Sequence, residues 1–551
     1  MGSCAAVASA KLVEYDWDIT WVNAAPDGFS RPVIGVNNEW PCPTIRATKG
    51  DTIRVKMNNQ LGNQTATLHF HGINQISTSW MDGPSFVSQC PVPPGKSITY
   101  EFLADEPGTY WWHSHEQGQY PDGLRGPMII ADPEDPYADE YDEEYVLTIS
   151  DWFHDQSIKL GKELLNPLNP DGIPPRAQSV LLNDGQGADY DFEAGKSYRF
   201  RIINFGASAS AMIHFDSHDM GVIMNDAAYV EQEFVSQLHV APAQRYDVIV
   251  KAIDRDNFGF LVSLDQNRDY TKPGAAWKMN STGYLVMDPE GERRPVEVEE
   301  WSPFDDSHFK PLEGAILPAA DKTFIFSFEH CPDKYGILRH CVNGSPYVRA
   351  DVPTLYTAAT VGEHNTEESV YGAVHPFIIS SGDIVDIVVN NHDEGIHPFH
   401  LHGHHFQVLH RPHTGAGEWP GPERASACYN REPPRRDTVS VFPKSHAVLR
   451  FEANNPGAYL FHCHIEWHVE MGLTATIIES PDVLRNISIP EDHIDACRAA
   501  GVLFEGNAAG NVEDPLDTTG IDYTPPRDYT GAEWIPPHVS RIRRSRFGRL
   551  I

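Results

Sequence analysis

Histidine is spaced along this chain as a metal would need it. Among 551 residues 27 are His, and random placement would give about 1.3 His-x-His pairs. Five occur, at 69/71, 113/115, 400/402, 402/404 and 462/464. In an extended strand residues i and i+2 point to one face, so each pair presents two imidazoles side by side, suited to one metal or to two adjacent ones. His462-Cys463-His464 does more: its histidines share one face and its thiol takes the other, so one strand reaches two sites. A thiolate with two imidazoles, here His397 and His468, is the ligand set of a mononuclear blue-copper electron-transfer centre. Zinc would accept the same three ligands, but it carries no electrons and leaves eight further histidines without a purpose.

The elements that position these residues are repeated. Three segments begin with glycine, alternate apolar and polar residues and close on Asn: Gly50 to Asn59, Gly195 to Asn204 and Gly382 to Asn391. Alternation after a turn glycine predicts a strand. A histidine segment follows each glycine by 18 or 19 residues: His69-Phe70-His71, His214-Phe215-Asp216 and His400-Leu401-His402. The second half recurs in the outer copies, as Trp112-His113-Ser114-His115 and His462-Cys463-His464, whereas the middle copy has only Phe258 to Ser263. Three turn-rich β units of this size predict an all-β chain of three sandwich domains, at residues 11–135, 136–300 and 301–505. Acidic and proline-rich stretches at 132–142 and 289–303 mark the joints, and a tail of little periodicity occupies 506–551.

Composition excludes several classes. A length of 551 residues is enough for roughly three to four domains, and no small stapled module is in question. With 77 Asp and Glu against 42 Lys and Arg, the formal charge of −35 repels phosphate backbones and anionic lipid, so no nucleic-acid partner is expected. Hydrophobic content of 40% without an apolar run of about 18 residues argues against a membrane span. The tail ends in a basic patch at 541–551, either solvated or docked against the acidic body. Residues 1–10 end in Ala8-Ser9-Ala10, like the last part of a signal-peptide cleavage site, although a basic start and full apolar core are missing. With Asn-x-Ser/Thr sequons at Asn63, Asn280, Asn343 and Asn486, a secreted glycoprotein is expected.

His69-Phe-His-Gly72, Trp112-His-Ser-His115, His397-Pro-Phe-His-Leu-His-Gly-His404 and His462-Cys-His-Ile-Glu-Trp-His468 resemble the four copper motifs of the multicopper oxidase family, in order, and the resemblance runs over roughly residues 12–510. It implies three cupredoxin-like Greek-key domains, a type 1 copper in the third and a trinuclear cluster between the first and third. It also implies four copper ions. Cys463, His397 and His468 would hold the type 1 ion, and His69 and His400 the type 2 ion. His71, His113 and His464 would hold one type 3 ion, and His115, His402 and His462 the other. The family's axial position falls on Leu473, which cannot coordinate and so favours the reduced ion. Met471 is off register and reads as core filler. The implied reaction oxidises a substrate one electron at a time and reduces O2 to water, with Asp82 and Glu466 at family positions for proton relay. One chain carries every motif, and a monomer is expected.

The substrate divides two subgroups. Ser88-Gln-Cys-Pro91 and Gly506-Asn-Ala-Ala509 resemble fungal iron-uptake ferroxidases and their soluble laccase-like relatives. Asp393, four residues before His397, resembles an iron-site Asp of the ferroxidases, and a second acidic position falls at Asp265 to Asp269; a third, expected as Glu, aligns with Pro174. Laccases resemble one another in an acid after the second-domain strand, where this chain reads Gly206-Ala-Ser-Ala-Ser210. Asp393 could take the phenol proton instead, or be a plain turn residue. The sequence reading favours a laccase-like oxidase of phenols or aminophenols, with a soluble ferroxidase acting on Fe(II) as the alternative and a non-enzymatic copper carrier as the third. Of eight cysteines, resemblance pairs Cys90 with Cys497. Cys331 and Cys341 are close enough in sequence to pair, and Cys42 with Cys428 follows only by elimination; free thiols are the alternative for these four.

Overall fold

The computed structural model describes residues 10–253, 256–264 and 280–535. The leader-like start up to residue 9, the acids Asp265 to Asp269 and the basic stretch 541–551 lie outside the described residues. Six sheets form three pairs along the chain, built from strands within residues 12–131, 143–286 and 322–479.

Each repeat builds its pair in the same way. The leading glycines Gly50, Gly195 and Gly382 adopt φ of +93°, +87° and +80°, which a side chain would resist. The strands that follow, Thr52–Asn59, Ser197–Asn204 and Ile384–Asn391, each run parallel to the first long strand of their unit: Leu12–Ala24, Glu143–Trp152 and Lys322–Pro332. The closing asparagines are buried and do identical work. Each accepts from the backbone N–H two residues on, at 3.0, 2.7 and 2.8 Å for Asn59, Asn204 and Asn391. Each also donates to carbonyls of the loops around it: Gln64 and Val92, Ala209 and Val240, and Gly395, Val441 and Phe442. The amide replaces hydrogen bonds that an irregular loop cannot make for itself, and so fixes the path into the histidine strand.

Behind the Cys463 strand, Phe326, Phe399 and Phe461 stand 5.3 Å apart ring to ring and are fully buried. Each such side chain contributes about 1.5–3 kcal/mol of transfer free energy. Cys90 and Cys497 form a disulfide between the first unit and helix Glu491–Ala500, and Cys331 and Cys341 close a hairpin. Cys42 and Cys428 are both free, Cys42 buried and Cys428 exposed, so the pairing reached by elimination is corrected. Residues 506–535 are mostly irregular but docked: Ala532 accepts from Asn63 Nδ2 at 2.8 Å, and Trp534 stacks on Trp21. Among the described residues no helix is long and apolar enough to cross a membrane.

Candidate metal centres

Two antiparallel strand pairs carry the histidines, and their register decides who meets whom. In the first unit His69 lies directly opposite His113, and in the third His400 lies opposite His462 with Phe399 opposite Cys463. The two pairs face each other across the boundary between units: the His71 and His400 rings stack at 3.8 Å, and His69 lies 4.0 Å from His402. Three histidine groups result, each with ligand atoms within 4.8 Å: His69, His71 and His400; His71, His113 and His464; His115, His402 and His462. The last two groups have the same members as the triads that the resemblance implied, and the first adds His71 to the implied pair His69 and His400. Among the described residues no side chain of the middle unit joins these groups, and its His214 Nδ1–H donates to the Ser236 carbonyl at 2.8 Å.

The rings are oriented for metal. In several of them one nitrogen is held from behind: His69 Nδ1 by the Asp82 carbonyl at 2.7 Å, His113 Nδ1 by the Ser114 carbonyl at 2.9 Å, and His400 Nδ1 by the Asp437 carbonyl at 2.9 Å. His71 uses Nε2 toward Asp437 Oδ1, at 3.1 Å. The opposite nitrogens, Nε2 of His69, His113 and His400 and Nδ1 of His71, are buried with no hydrogen-bond partner among the described residues. Holding one N–H fixes the tautomer and aims the other lone pair, as metal-ligating histidines require. Burial first, and neighbouring imidazoles after it, keeps His71, His113, His115, His402 and His464 well below the usual histidine range, and His462 is pushed down to about 3. Neutral, convergent and otherwise unsatisfied, these donors fit metal ions.

The thiolate group forms on the other side of the same strand. Cys463 Sγ lies 3.6 Å from His397 Nδ1 and 3.5 Å from His468 Nδ1, and the two nitrogens are 3.1 Å apart. All three residues are buried. This trigonal set of one sulfur and two imidazoles suits a type 1 copper. Leu473 is fully buried and its carbonyl accepts from the Cys463 N–H at 3.1 Å, which places it beside the thiolate strand. The Met471 methyl instead borders Gly172, where an added Cβ would come within 3.1 Å of it.

The acids differ in what they touch. Asp82, completely buried, accepts from His402 Nδ1 at 2.9 Å while its carbonyl holds His69, so it joins two of the groups. Asp393 Oδ2 accepts from His397 Nε2 at 2.8 Å. Glu466 lies beside Gly118 and Glu470; burial, then Glu470, keeps its carboxyl well above the usual range, and Glu470 is itself raised to about 7. Sequence reasoning missed Asp437, which serves both His71 and His400 and is gripped by Arg245 at 2.8 and 2.6 Å. Its signal was Arg435-Arg436-Asp437-Thr438, a charged run placed inside a strand-rich segment.

Multicopper oxidase family profiles match residues 18–135, 143–286 and 347–483. The chain is 45% identical over 528 residues to the iron transport multicopper oxidase fetC of Epichloe festucae, covering 94% of this chain and 85% of that one. It is 43% identical over 522 residues to the iron transport multicopper oxidase FET3 of Gibberella zeae, covering 93% and 84%. The crystal structure of Fet3p, a multicopper oxidase that functions in iron import, superposes with a TM-score of 0.87 at 35% identity, covering 92% of this chain and 98% of that one. The laccase from Botrytis aclada gives 0.78 at 26% identity, covering 89% and 92%.

Proposed function

The chain belongs to the multicopper oxidase family, and we propose that its reducing substrate is ferrous iron. Four Fe(II) become four Fe(III) as one O2 and four protons become two waters. The observation that carries this reading is the 2.8 Å hydrogen bond from His397 Nε2 to Asp393 Oδ2. His397 is fully buried, whereas the Asp393 side chain is 19% exposed, so a hard oxygen donor bridges solvent and the thiolate centre. An aquo cation gains a hard oxygen ligand from such a group, whereas a neutral phenol gains a single hydrogen bond. The names of the most similar relatives support iron as well, and the order of the two substrates read from sequence reverses. The acid that resemblance looks for in a laccase has no counterpart in Gly206 to Ser210, whose amides at Ala207, Ser208 and Ala209 are taken up by Asp151.

In this reading Cys463, His397 and His468 hold the type 1 ion. His69 and His400 hold the type 2 ion, and His71, His113 and His464 with His115, His402 and His462 hold the type 3 pair. When bound, the coppers supply the one-electron acceptor and the four-electron reduction of O2. The protein's share is position. Cys463 and its neighbours His462 and His464 join the two sites through a single covalent stretch of backbone. Asp82 Oδ1, with no hydrogen-bond partner among the described residues, is placed to take or give a proton beside His69 and His402. Burial, then Glu470, holds the Glu466 carboxyl well above the usual range, which suits it to supply a proton near Tyr120, whose ring stands 5.1 Å from His113. Secretion belongs to the same proposal, and at Asn486 the sequon is exposed.

O2 uptake by the copper-loaded protein, with Fe(II) and with a dimethoxyphenol in one buffer and autoxidation blanks, tests the substrate. A larger kcat/KM for Fe(II) is expected; a larger value for the phenol overturns the reading.

A further inference from the structure

Asp393 does not stand alone at the edge of the thiolate centre. We propose that His330 and Asp393 together form the site that receives ferrous iron, with His330 as the ligand that selects an aquo cation over an organic reductant. This inference rests on the ferroxidase reading and deepens it.

The two residues meet because of strand register. Strand Lys322–Pro332 runs parallel to Ile384–Asn391 with Phe328 beside Asn391. His330 lies two positions beyond Phe328, and Asp393 lies in the bend that follows the strand end at Asn391, which brings the two side chains together. Asp393 divides its oxygens. Oδ2 accepts from His397, whereas Oδ1 accepts the Glu394 N–H at 2.7 Å and lies 3.8 Å from His330 Nδ1. That separation is too long for a hydrogen bond. It fits a shared ion, since two ligands each about 2.1 Å from a first-row divalent metal stand no more than about 4.2 Å apart. A carboxylate oxygen and an imidazole nitrogen are donors that ferrous iron accepts.

Placement and exposure agree with a transient occupant. The His330 side chain is 38% exposed and that of Asp393 19%, so an ion can arrive from solvent and keep waters on its remaining positions. His330 is held rather than free to swing: it pairs with His340 across the hairpin, their rings are 4.4 Å apart, and Cys331–Cys341 closes the same hairpin. Lys444, the nearby cation, is engaged by the His392 carbonyl at 2.7 Å and Glu394 at 3.1 Å. Bound Fe(II) would lose one electron through the Asp393–His397 hydrogen bond and depart as Fe(III), four times for each O2 reduced.

The test uses the copper-loaded full chain and the variants His330→Ala and His330→Asp. Fe(II) oxidation is compared with that of ferrocyanide, a one-electron donor whose closed ligand shell needs no site on the protein. Co(II) binding, read by calorimetry, reports the site without turnover. For His330→Ala the ratio of kcat/KM for Fe(II) to that for ferrocyanide is expected to fall about tenfold or more through KM, and Co(II) affinity to fall by a similar factor. His330→Asp, which puts a carboxylate oxygen in place of the imidazole nitrogen, is expected to recover part of both. If wild-type protein oxidises iron and His330→Ala changes neither quantity, the assignment of His330 is overturned and the ferroxidase reading stands. If Co(II) binding depends on His330 but wild-type protein does not oxidise iron, the ferroxidase reading fails and the iron-receiving role falls with it.

Discussion

Arg245 of the second sandwich donates through Nη1 and Nη2 to the two carboxylate oxygens of Asp437 in the third, at 2.8 and 2.6 Å, and neither side chain is more than 1% exposed. Its Nε donates to the carbonyl of Thr109 in the first at 2.9 Å, so one guanidinium ties all three units. Asp437 in turn holds His71 and His400. The middle copy, which keeps only His214 of the repeat's histidines, therefore supplies the charge that orients the histidines of its neighbours.

Removing that charge leaves the buried Asp437 carboxylate without its guanidinium partner. Arg245→Gln is expected to cost about 3–5 kcal/mol in stability and to lower copper content below four ions per chain after dialysis against a mild chelator. Elemental analysis beside chemical denaturation checks both; full copper retention would show that Asp437 holds the two rings without help.

Cys90 and Cys497 are 407 residues apart in sequence, and their bond ties helix Glu491–Ala500 to the first unit. Breaking it enlarges the unfolded ensemble and frees a contact between chain ends. Cys497→Ser is expected to lose about 2–5 kcal/mol, seen as a lower unfolding midpoint, whereas an unchanged midpoint would mean that the helix is held by its packing alone.

Cys428 is exposed and Cys42 buried, and burial pushes the Cys42 thiol up to about 12. The thiolate is the reacting form. Brief treatment of native protein with a maleimide near pH 7.5, followed by peptide mapping, should modify Cys428 and spare Cys42. Equal labelling would place Cys42 at the surface.

What was legible in the sequence was local. Each ligand pair lies within a strand or at its C-terminal end, where a period of two and repetition in the first and third units betray it, and the disulfide hairpin Cys331–Cys341 spans only ten residues. What escaped is non-local. Arg245 and Asp437 are 192 residues apart, and buried ion pairs carry no spacing signature. His330 shows its meaning only once the parallel strand register sets it beside Asp393. The closing asparagines were visible as a repeated letter, but that each stitches the same loop could be learned only from the hydrogen bonds.

Asp306 gives an acid-sensitive joint between the second and third units. Burial alone would raise its carboxyl, but Arg411, then Arg436, overcome this and hold it well below the usual range. Arg411 Nη2 stands 2.6 Å away, and Arg436 also grips Asp226 at 3.1 Å. A carboxylate depressed on folding stabilises above its unfolded value, about 3.9, and that stability is lost as pH falls through the folded value. Stability should therefore decline below about pH 5, and Asp306→Asn should be less stable at pH 6 with a shallower acid decline. Parallel curves for the two proteins would remove Asp306 from the joint.

Asn59, Asn204 and Asn391 offer a controlled comparison, since one residue type does one structural task in three settings. Replacing any of them with Ala leaves buried carbonyls without donors, and each variant is expected to lose about 1–3 kcal/mol. Their effects on metal should diverge. Asn391 accepts the Asp393 N–H and donates to the Gly395 carbonyl, so it shapes the turn that carries Asp393 into the His397 strand. Asn391→Ala should weaken the type 1 absorption band and raise KM for Fe(II). Asn204→Ala, in the unit without ligands, should lower the unfolding midpoint with four coppers and an unaltered band. If Asn204→Ala disturbs the band as strongly as Asn391→Ala, the loops do not act separately, and the metal centres depend on the stability of the whole chain rather than on the turn beside them.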